Sequence, residues 1–289
     1  MSRAANFRRL LQEPPVACMG AYDAISAKLA EAAGARALYV SGYAASAVRT
    51  GQPDLGLMSQ TEMAAHIEAI CNATTLPVIA DADTGYGGVL SVERTVRLWE
   101  RAGAAGLHIE DQVFPKRCGH VAGKELIATD EASRKIRAAC ASRSDPDFFI
   151  IARTDAVAVN GIDDAIARCR AFSEAGADAL FVDAPESREH LAKIARELGP
   201  LGKPLLFNCA RTLKSPILSV AELHALGFSL TIFPIEAFLA ALSTLRTTYA
   251  RLVSEGTSDV VADAMTFVEL NTLLGMPEAI AREKGYAAT

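Results

Sequence analysis

The chain is expected to fold as an α/β protein built on one (β/α)8 barrel, and three features of its 289 residues carry that expectation. Eight short apolar runs recur along it, amphipathic helical stretches separate most of them, and three of those stretches end in the same small-residue phrase. The runs occupy residues 17–21, 37–40, 77–80, 106–109, 148–152, 179–182, 204–207 and 230–233. Each is four or five residues long, and most are rich in Val, Ile, Leu or Phe, which suits parallel strands buried on both faces.

Helical periodicity runs over residues 26–33, 61–71, 92–102, 163–175 and 220–226. The phrases E-A-A-G-A-R-A-L (31–38), E-R-A-G-A-A-G-L (100–107) and E-A-G-A-D-A-L (174–180) place a glycine just past a helix end, where a left-handed cap is wanted, and an apolar run directly after it. Eight unbroken strand–helix alternations imply a closed parallel barrel, a fold of about 250 residues. An open doubly wound sheet lacks its signature, because no G-x-G-x-x-G follows the first run.

No linker or low-complexity segment divides the chain, so residues 1–289 are expected to form a single domain. Residues 234–289 exceed what one barrel helix needs, which predicts a helical C-terminal extension that packs on a neighbouring subunit.

Composition sets the outer limits. Hydrophobic residues are 51% and charged residues 22%, enough to bury a large core. The net charge of −5 and the absence of a basic run argue against nucleic acid as a partner. No stretch reaches the roughly 18 apolar residues of a membrane span, and residues 1–13 lack the apolar centre of a signal peptide. Six cysteines without a C-x-x-C pair give no zinc signature and fit a reducing, cytoplasmic setting.

In barrels the chemistry lies at the C-terminal ends of the strands. There this chain carries S-G-Y (41–43), D-A-D-T-G-Y-G (81–87), E-D-Q (110–112), R-T-D (153–155), Asp183 and Asn208. A single Asp at a strand end often caps the next helix. Asp81, Asp83 and Glu110 leave adjacent strands, however, and Asp54 lies in the loop after the second, so they repel unless a positive charge sits among them. A hard divalent cation such as Mg2+ answers that need with one or two direct carboxylates plus waters; helix caps and surface ion pairs are the alternative. In D-A-D, strand alternation would put Asp81 and Asp83 on one side. Arg153 could hold a substrate carboxylate with a bidentate fork, or pair with Asp155 or Glu110. Ser41 and Gly42 offer a hydroxyl and backbone N–H groups to a carboxylate.

The segment Lys116-Arg117-Cys118-Gly119-His120 follows the fourth run. Two cations and a histidine flanking Cys118 should lower its thiol pKa, and Gly119 lets the loop bend or close. The other five cysteines read as core fillers or helix-surface residues.

These motifs, with P-D-L-G at 53–56, H-I-E-D-Q at 108–112 and A-R-T-D at 152–155, resemble the isocitrate lyase/phosphoenolpyruvate mutase superfamily over residues 22–256. The resemblance implies a TIM-barrel enzyme that binds Mg2+ (Mn2+ as an alternative), acts on a small carboxylate, and assembles as a homotetramer of helix-swapped dimers. It implies Asp83 and Asp81 as metal residues, with Asp54 and Glu110 in support. Ser41, Gly42, Tyr43, Arg153 and Asn208 would bind substrate. Lys116 to His120 would form a gating loop, in which Cys118 protonates the departing carbanion.

K-R-C-G-H favours C–C cleavage over the mutases and phosphonopyruvate hydrolases, which resemble the barrel without that loop. The length matches the short branch, which includes 2-methylisocitrate lyase, 2,3-dimethylmalate lyase, the petal death protein and oxaloacetate acetylhydrolase. S-G-Y leans toward the dimethylmalate lyase group. Pro234 stands where the hydrolases tend to place a serine.

Two departures bear on the substrate. The family's Glu at the sixth strand end is Asp183 here, one methylene shorter. The family's N-M-V-E-G-G-K-T-P reads N-C-A-R-T-L-K-S-P at 208–216, so Arg211 replaces a glutamate. The expected reaction is a retro-aldol cleavage of a 2-hydroxy di- or tricarboxylate, with Tyr39, Tyr43 or a carboxylate acting through water as the base. Hydrolysis or decarboxylation of oxaloacetate is the alternative on the same scaffold, and a non-catalytic carboxylate-binding protein the alternative of another class.

Overall fold

The computed structural model describes residues 1–117, 123–211, 215–261 and 264–287. Eight parallel strands close into a barrel in chain order: β1 (Val16–Gly20), β2 (Ala37–Val40), β3 (Val78–Asp81), β4 (Gly106–Glu110), β5 (Phe149–Thr154), β6 (Ala179–Val182), β7 (Leu205–Asn208) and β8 (Leu230–Phe233). Val16 pairs with Leu230 to complete the circle. All eight expected runs are strands, displaced by no more than a residue or two.

The helices before and around these strands are α1 (Arg3–Leu10), α2 (Ala24–Ala32), α3 (Gly42–Thr50), α4 (Gln60–Ala73), α5 (Val89–Arg101), α6 (Thr129–Ser142), α7 (Val157–Asn160), α8 (Ile162–Glu174), α9 (Arg188–Leu198) and α10 (Val220–Ala225). Gly34, Gly103 and Gly176, the glycines of the repeated phrase, follow α2, α5 and α8 at φ of +90°, +88° and +101°. That left-handed geometry is the physical content of the phrase: it stops the helix and turns the chain into the next strand.

Strand alternation sorts the apolar side chains into two cores. Tyr39, Ile79, Ile151, Phe181 and Leu206 point into the barrel, while Leu38, Val40, Val78, Ile150 and Leu180 meet the helices outside. Helix α1 falls outside the sequence-based expectation. Phe7 and Leu10 join the inner core, and the Phe7 ring packs edge-on against Phe149 at the N-terminal end of β5, with centroids 5.2 Å apart. Arg3 ties α1 to the wall by donating to the carbonyls of Cys71 (2.7 Å) and Thr74 (2.6 Å). The barrel is thus plugged at the end opposite the strand C-termini.

Contacts divide the chain into two units, Met1–Phe238 and Leu239–Thr289. The second holds most of α11 (Glu236–Glu255), then α12 (Phe267–Leu273) and α13 (Met276–Ala287), the helices expected after residue 234. No described helix is long and apolar enough to cross a membrane.

Candidate active site

On six strands a polar residue follows two positions after an inward-facing one: Tyr39 and Ser41, Ile79 and Asp81, His108 and Glu110, Ile151 and Arg153, Phe181 and Asp183, Leu206 and Asn208. A period of two therefore lifts all six polar groups to the C-terminal rim, directly above the inner core. They join Tyr43, Asp54, Lys116, Ala210, Pro234 and Ile235 around a cavity that is open at its mouth.

Asp81 ends β3 and anchors the next turn. Its Oδ1 accepts from the Asp83 amide at 2.9 Å and its Oδ2 from the Gly42 amide at 3.1 Å. A Cβ on residue 42 would lie 2.8 Å from Asp81 Oδ2, so the second residue of S-G-Y has to be glycine for this approach. The Gly42 N–H expected to face a substrate carboxylate is thus engaged with Asp81.

The alternation argument for Asp83 fails. β3 stops at Asp81, and Asp83 stands at φ +46° in a left-handed turn. It reaches the site because the turn swings it back toward Lys116. The buried Lys116 ammonium lies 2.5 Å from Asp54 Oδ2 and 2.8 Å from Asp83 Oδ1. The Lys116–Asp83 contact is an ion pair at ordinary hydrogen-bond distance.

The charge balance of the rim shows in its titration. Burial, with repulsion from Asp81 and Asp54, pushes Asp83 up to about 6 despite Lys116. Burial, aided by Asp155 and Asp81, holds Glu110 well above the usual carboxylate range against the pull of Arg153 and Lys116. Burial also acts to raise Asp81, but His108, Lys116 and Arg153 outweigh it and hold that carboxyl below its ordinary value. Burial opposes the charge of Lys116, yet Asp83, Glu110, Asp81 and Asp54 raise its pKa well above the ordinary value.

Arg153 is surrounded by acids. Its Nε and Nη2 donate to Asp155 at 3.0 Å each, Nη2 also donates to Asp183 at 2.9 Å, and Nε lies 3.3 Å from Glu110. The pairing alternative raised by the sequence is therefore realised, with Asp183 added. Among the described residues no carboxylate accepts a hydrogen bond from Nη1. Asp183 also accepts from Asn208 Nδ2 at 3.3 Å, so the shortened side chain holds two of the expected substrate-binding residues. Lys124, 3.0 Å from Asp155, adds a buried cation that the sequence reading missed.

Ser41 is buried at the start of α3 and makes no capping bond, whereas Tyr43 is partly exposed at the mouth. Tyr39 sits deeper. Its hydroxyl lies 2.6 Å from His108 Nε2, and that nitrogen is 3.5 Å from Asp81 Oδ1. Among the described residues, buried His108 Nδ1 has no partner. An N–H there would be an unpaired buried donor, so the favoured tautomer carries its proton on Nε2 and donates to Tyr39. His108 was legible only as a letter of H-I-E-D-Q; its inward position at an alternate residue of β4 was the usable signal.

Cys118, Gly119 and His120 lie outside the described residues, as do residues 212–214. The root of the first segment is fixed: Gln112 accepts from the Arg117 amide at 3.0 Å and donates to its carbonyl at 2.9 Å. Arg211 is exposed, and its amide donates to Glu236.

Among the described residues, no three of His, Cys, Asp and Glu converge tightly enough to enclose an ion by themselves. The donor set nevertheless fits a hard cation. It consists of carboxylate oxygens, Glu110 Oε1 is a buried acceptor without a partner, and a cation with several waters needs only one or two direct carboxylates.

The model of the phosphoenolpyruvate phosphomutase family matches residues 7–253. A 2,3-dimethylmalate lyase of Eubacterium barkeri is 42% identical over 289 residues, covering 99% of both chains. A 2-methylisocitrate lyase of Halalkalibacterium halodurans is 38% identical over 288 residues, covering 99% of this chain and 94% of the other. Among solved structures, oxaloacetate acetylhydrolase with the inhibitor 3,3-difluorooxalacetate superposes with a TM-score of 0.92 at 37% identity, covering 99% and 97%. Phosphonopyruvate hydrolase in complex with oxalate and Mg2+ superposes with a TM-score of 0.90 at 31% identity, covering 99% and 100%.

Proposed function

Because the chain belongs to the phosphoenolpyruvate mutase/isocitrate lyase superfamily and is a lyase of it, we propose that it cleaves the C2–C3 bond of a 2-hydroxy carboxylate of the alkylmalate or 2-methylisocitrate type, with Mg2+ as cofactor. The observation that carries this reading is the rim itself, where Asp54, Asp81 and Glu110 share one cavity with Lys116 and Arg153, and Asp83 lies 2.8 Å from the Lys116 ammonium.

Asp83 and Asp81 would hold the ion, with Asp54 and Glu110 in support and Mn2+ as a substitute. When bound, the ion supplies Lewis acidity that lowers the pKa of the substrate hydroxyl. Ser41 and the Nη1 arm of Arg153 bind the adjacent carboxylate, and Asp183 and Asn208 set the position of that arm. Tyr39, Tyr43 or a carboxylate through water removes the hydroxyl proton. The electron pair of the O–H bond becomes the new carbonyl bond of a 2-oxo acid, and the C2–C3 pair leaves on C3 as an enolate-like carboxylate. Cys118 gives that carbon its proton, and Lys116 and His120 flank it in the loop. Pro234 offers no hydroxyl at the cavity wall, which supports a lyase over a hydrolase.

The test is a substrate screen with Mg2+ over 2,3-dimethylmalate, other alkylmalates, 2-methylisocitrate, isocitrate and oxaloacetate. A 2-oxo acid plus a second carboxylate is expected from at least one 2-hydroxy acid. Oxalate plus acetate from oxaloacetate, with every 2-hydroxy acid inert, would establish the hydrolase alternative, to which the likeness to oxaloacetate acetylhydrolase lends support.

We place the enzyme in the cytoplasm as a homotetramer in which the C-terminal helices of paired subunits are exchanged. Phe267, Val268, Val253 and Tyr249 of the second unit stand 63–87% exposed, an apolar surface suited to a second copy of the chain. All five described cysteines are free, which suits a reducing compartment.

A further inference from the structure

The turn that presents Asp83 is held from outside the barrel. Asp83 and Tyr86 adopt φ of +46° and +58°, conformations that residues with a side chain occupy at a cost. Every carbonyl from Asp81 to Thr84 nonetheless has a donor. Trp99 Nε1 on α5 donates to Asp81 O at 3.1 Å, the Gly85 amide to Ala82 O at 2.8 Å, and the Glu110 amide to Asp83 O at 2.9 Å. Lys135 Nζ on α6 donates to Thr84 O at 3.0 Å, and Thr95 Oγ1 on α5, whose one proton has Ser91 O at 2.9 Å as its nearer acceptor, lies 3.2 Å from Gly85 O.

Packing accounts for Trp99 and Thr95 but not for Lys135. Lys135 is 6% exposed and lines a narrow crevice behind the site with Ile109, Ile136 and Phe172 and with the charged groups Glu110, Asp111 and Arg153. Among the described residues its ammonium makes one hydrogen bond, to Thr84 O. An apolar side chain of that length would fill the crevice without desolvating a charge. We infer that Lys135 is a positioning residue for Asp83: by fixing the Thr84 carbonyl it holds the left-handed turn that swings the Asp83 carboxylate against Lys116, which lines the pocket.

This inference rests on the proposed reading of the pocket as a metal-assisted lyase site, so its test carries readouts that separate the two. Lys135→Met and Lys135→Arg are compared with the unaltered enzyme by Mn2+ titration, kcat and KM on a substrate found in the screen, amide exchange at Gly85 and Glu110, and thermal midpoint. In Lys135→Met, Mn2+ affinity and kcat should each fall by roughly 10–100-fold, the scale for residues that orient a metal's ligands. KM should change little, exchange at both amides should quicken, and the thermal midpoint should hold or rise. Lys135→Arg should recover most of the loss. Unaltered Mn2+ affinity, kcat and exchange in Lys135→Met would overturn the inference, as would a lowered thermal midpoint with those three unchanged. If the unaltered enzyme binds no Mn2+, the metal reading fails, and exchange at Gly85 and Glu110 still decides the role of Lys135. Should Lys135→Met not fold, Lys135→Gln serves in its place.

Discussion

Asp183 touches two side chains at once, the Arg153 guanidinium and the Asn208 amide, and both line the cavity. One methylene less than glutamate therefore changes a hub and not a single contact. At this scale the acid role of Cys118 is open to a direct check. Cys118→Ser should lose nearly all turnover while substrate affinity, measured by calorimetry, stays close to that of the unaltered enzyme; a variant with full kcat would remove Cys118 from the mechanism. His66 offers a second check, on stability. It is buried on α4 with Nε2 unpartnered, and burial, aided by Arg49, brings its pKa down to about 4. The unfolded chain takes up a proton near pH 6.5, before the folded chain does. The stability contributed by neutral His66 is complete above that pH and is lost as pH falls toward 4. The urea midpoint should decline over this window, and His66→Leu should decline less.

Among the elements, α1 does more than its position in the sequence suggests. Its apolar pair Phe7 and Leu10 closes the strand N-terminal end, and Arg3 and Arg8 fasten it to loops on either side. Phe7→Ala should lower unfolding free energy by about 3–5 kcal/mol in urea titrations, the range for emptying a buried aromatic site. The site lies at the C-terminal ends of the strands, the opposite end of the barrel from Phe7, so kcat at a temperature where the variant is folded should be nearly unchanged. The strands themselves were legible because most are short apolar runs that end in a polar residue at the rim. The polar rim was legible because alternation at a period of two is local. The turn after β3 was not: Asp83 leaves the strand pattern, and donors that hold the turn come from α5, β4 and α6, up to 51 residues away.

In the whole molecule, the division at residue 238 separates a barrel with two full cores from three helices rich in exposed apolar side chains. Self-association is the expected consequence. Light scattering should give a mass near four times 30.6 kDa, and Phe267→Glu combined with Val268→Glu should lower it. A monomer at micromolar concentration in the unaltered enzyme would end the tetramer proposal. The sequence by itself determined the eight strands, their order, the placement of acids and Arg153 at one rim, and the family, because these follow from short-range periodicity and compact motifs. Only the tertiary structure decided which acids Arg153 and Lys116 hold, that Asp83 arrives through a left-handed turn, that His108 supports Tyr39, and that Lys135 reaches Thr84. Those outcomes depend on which side chains from distant elements share a small, desolvated volume, and charge pairing in that volume is set by distance in space, which spacing along the chain does not encode.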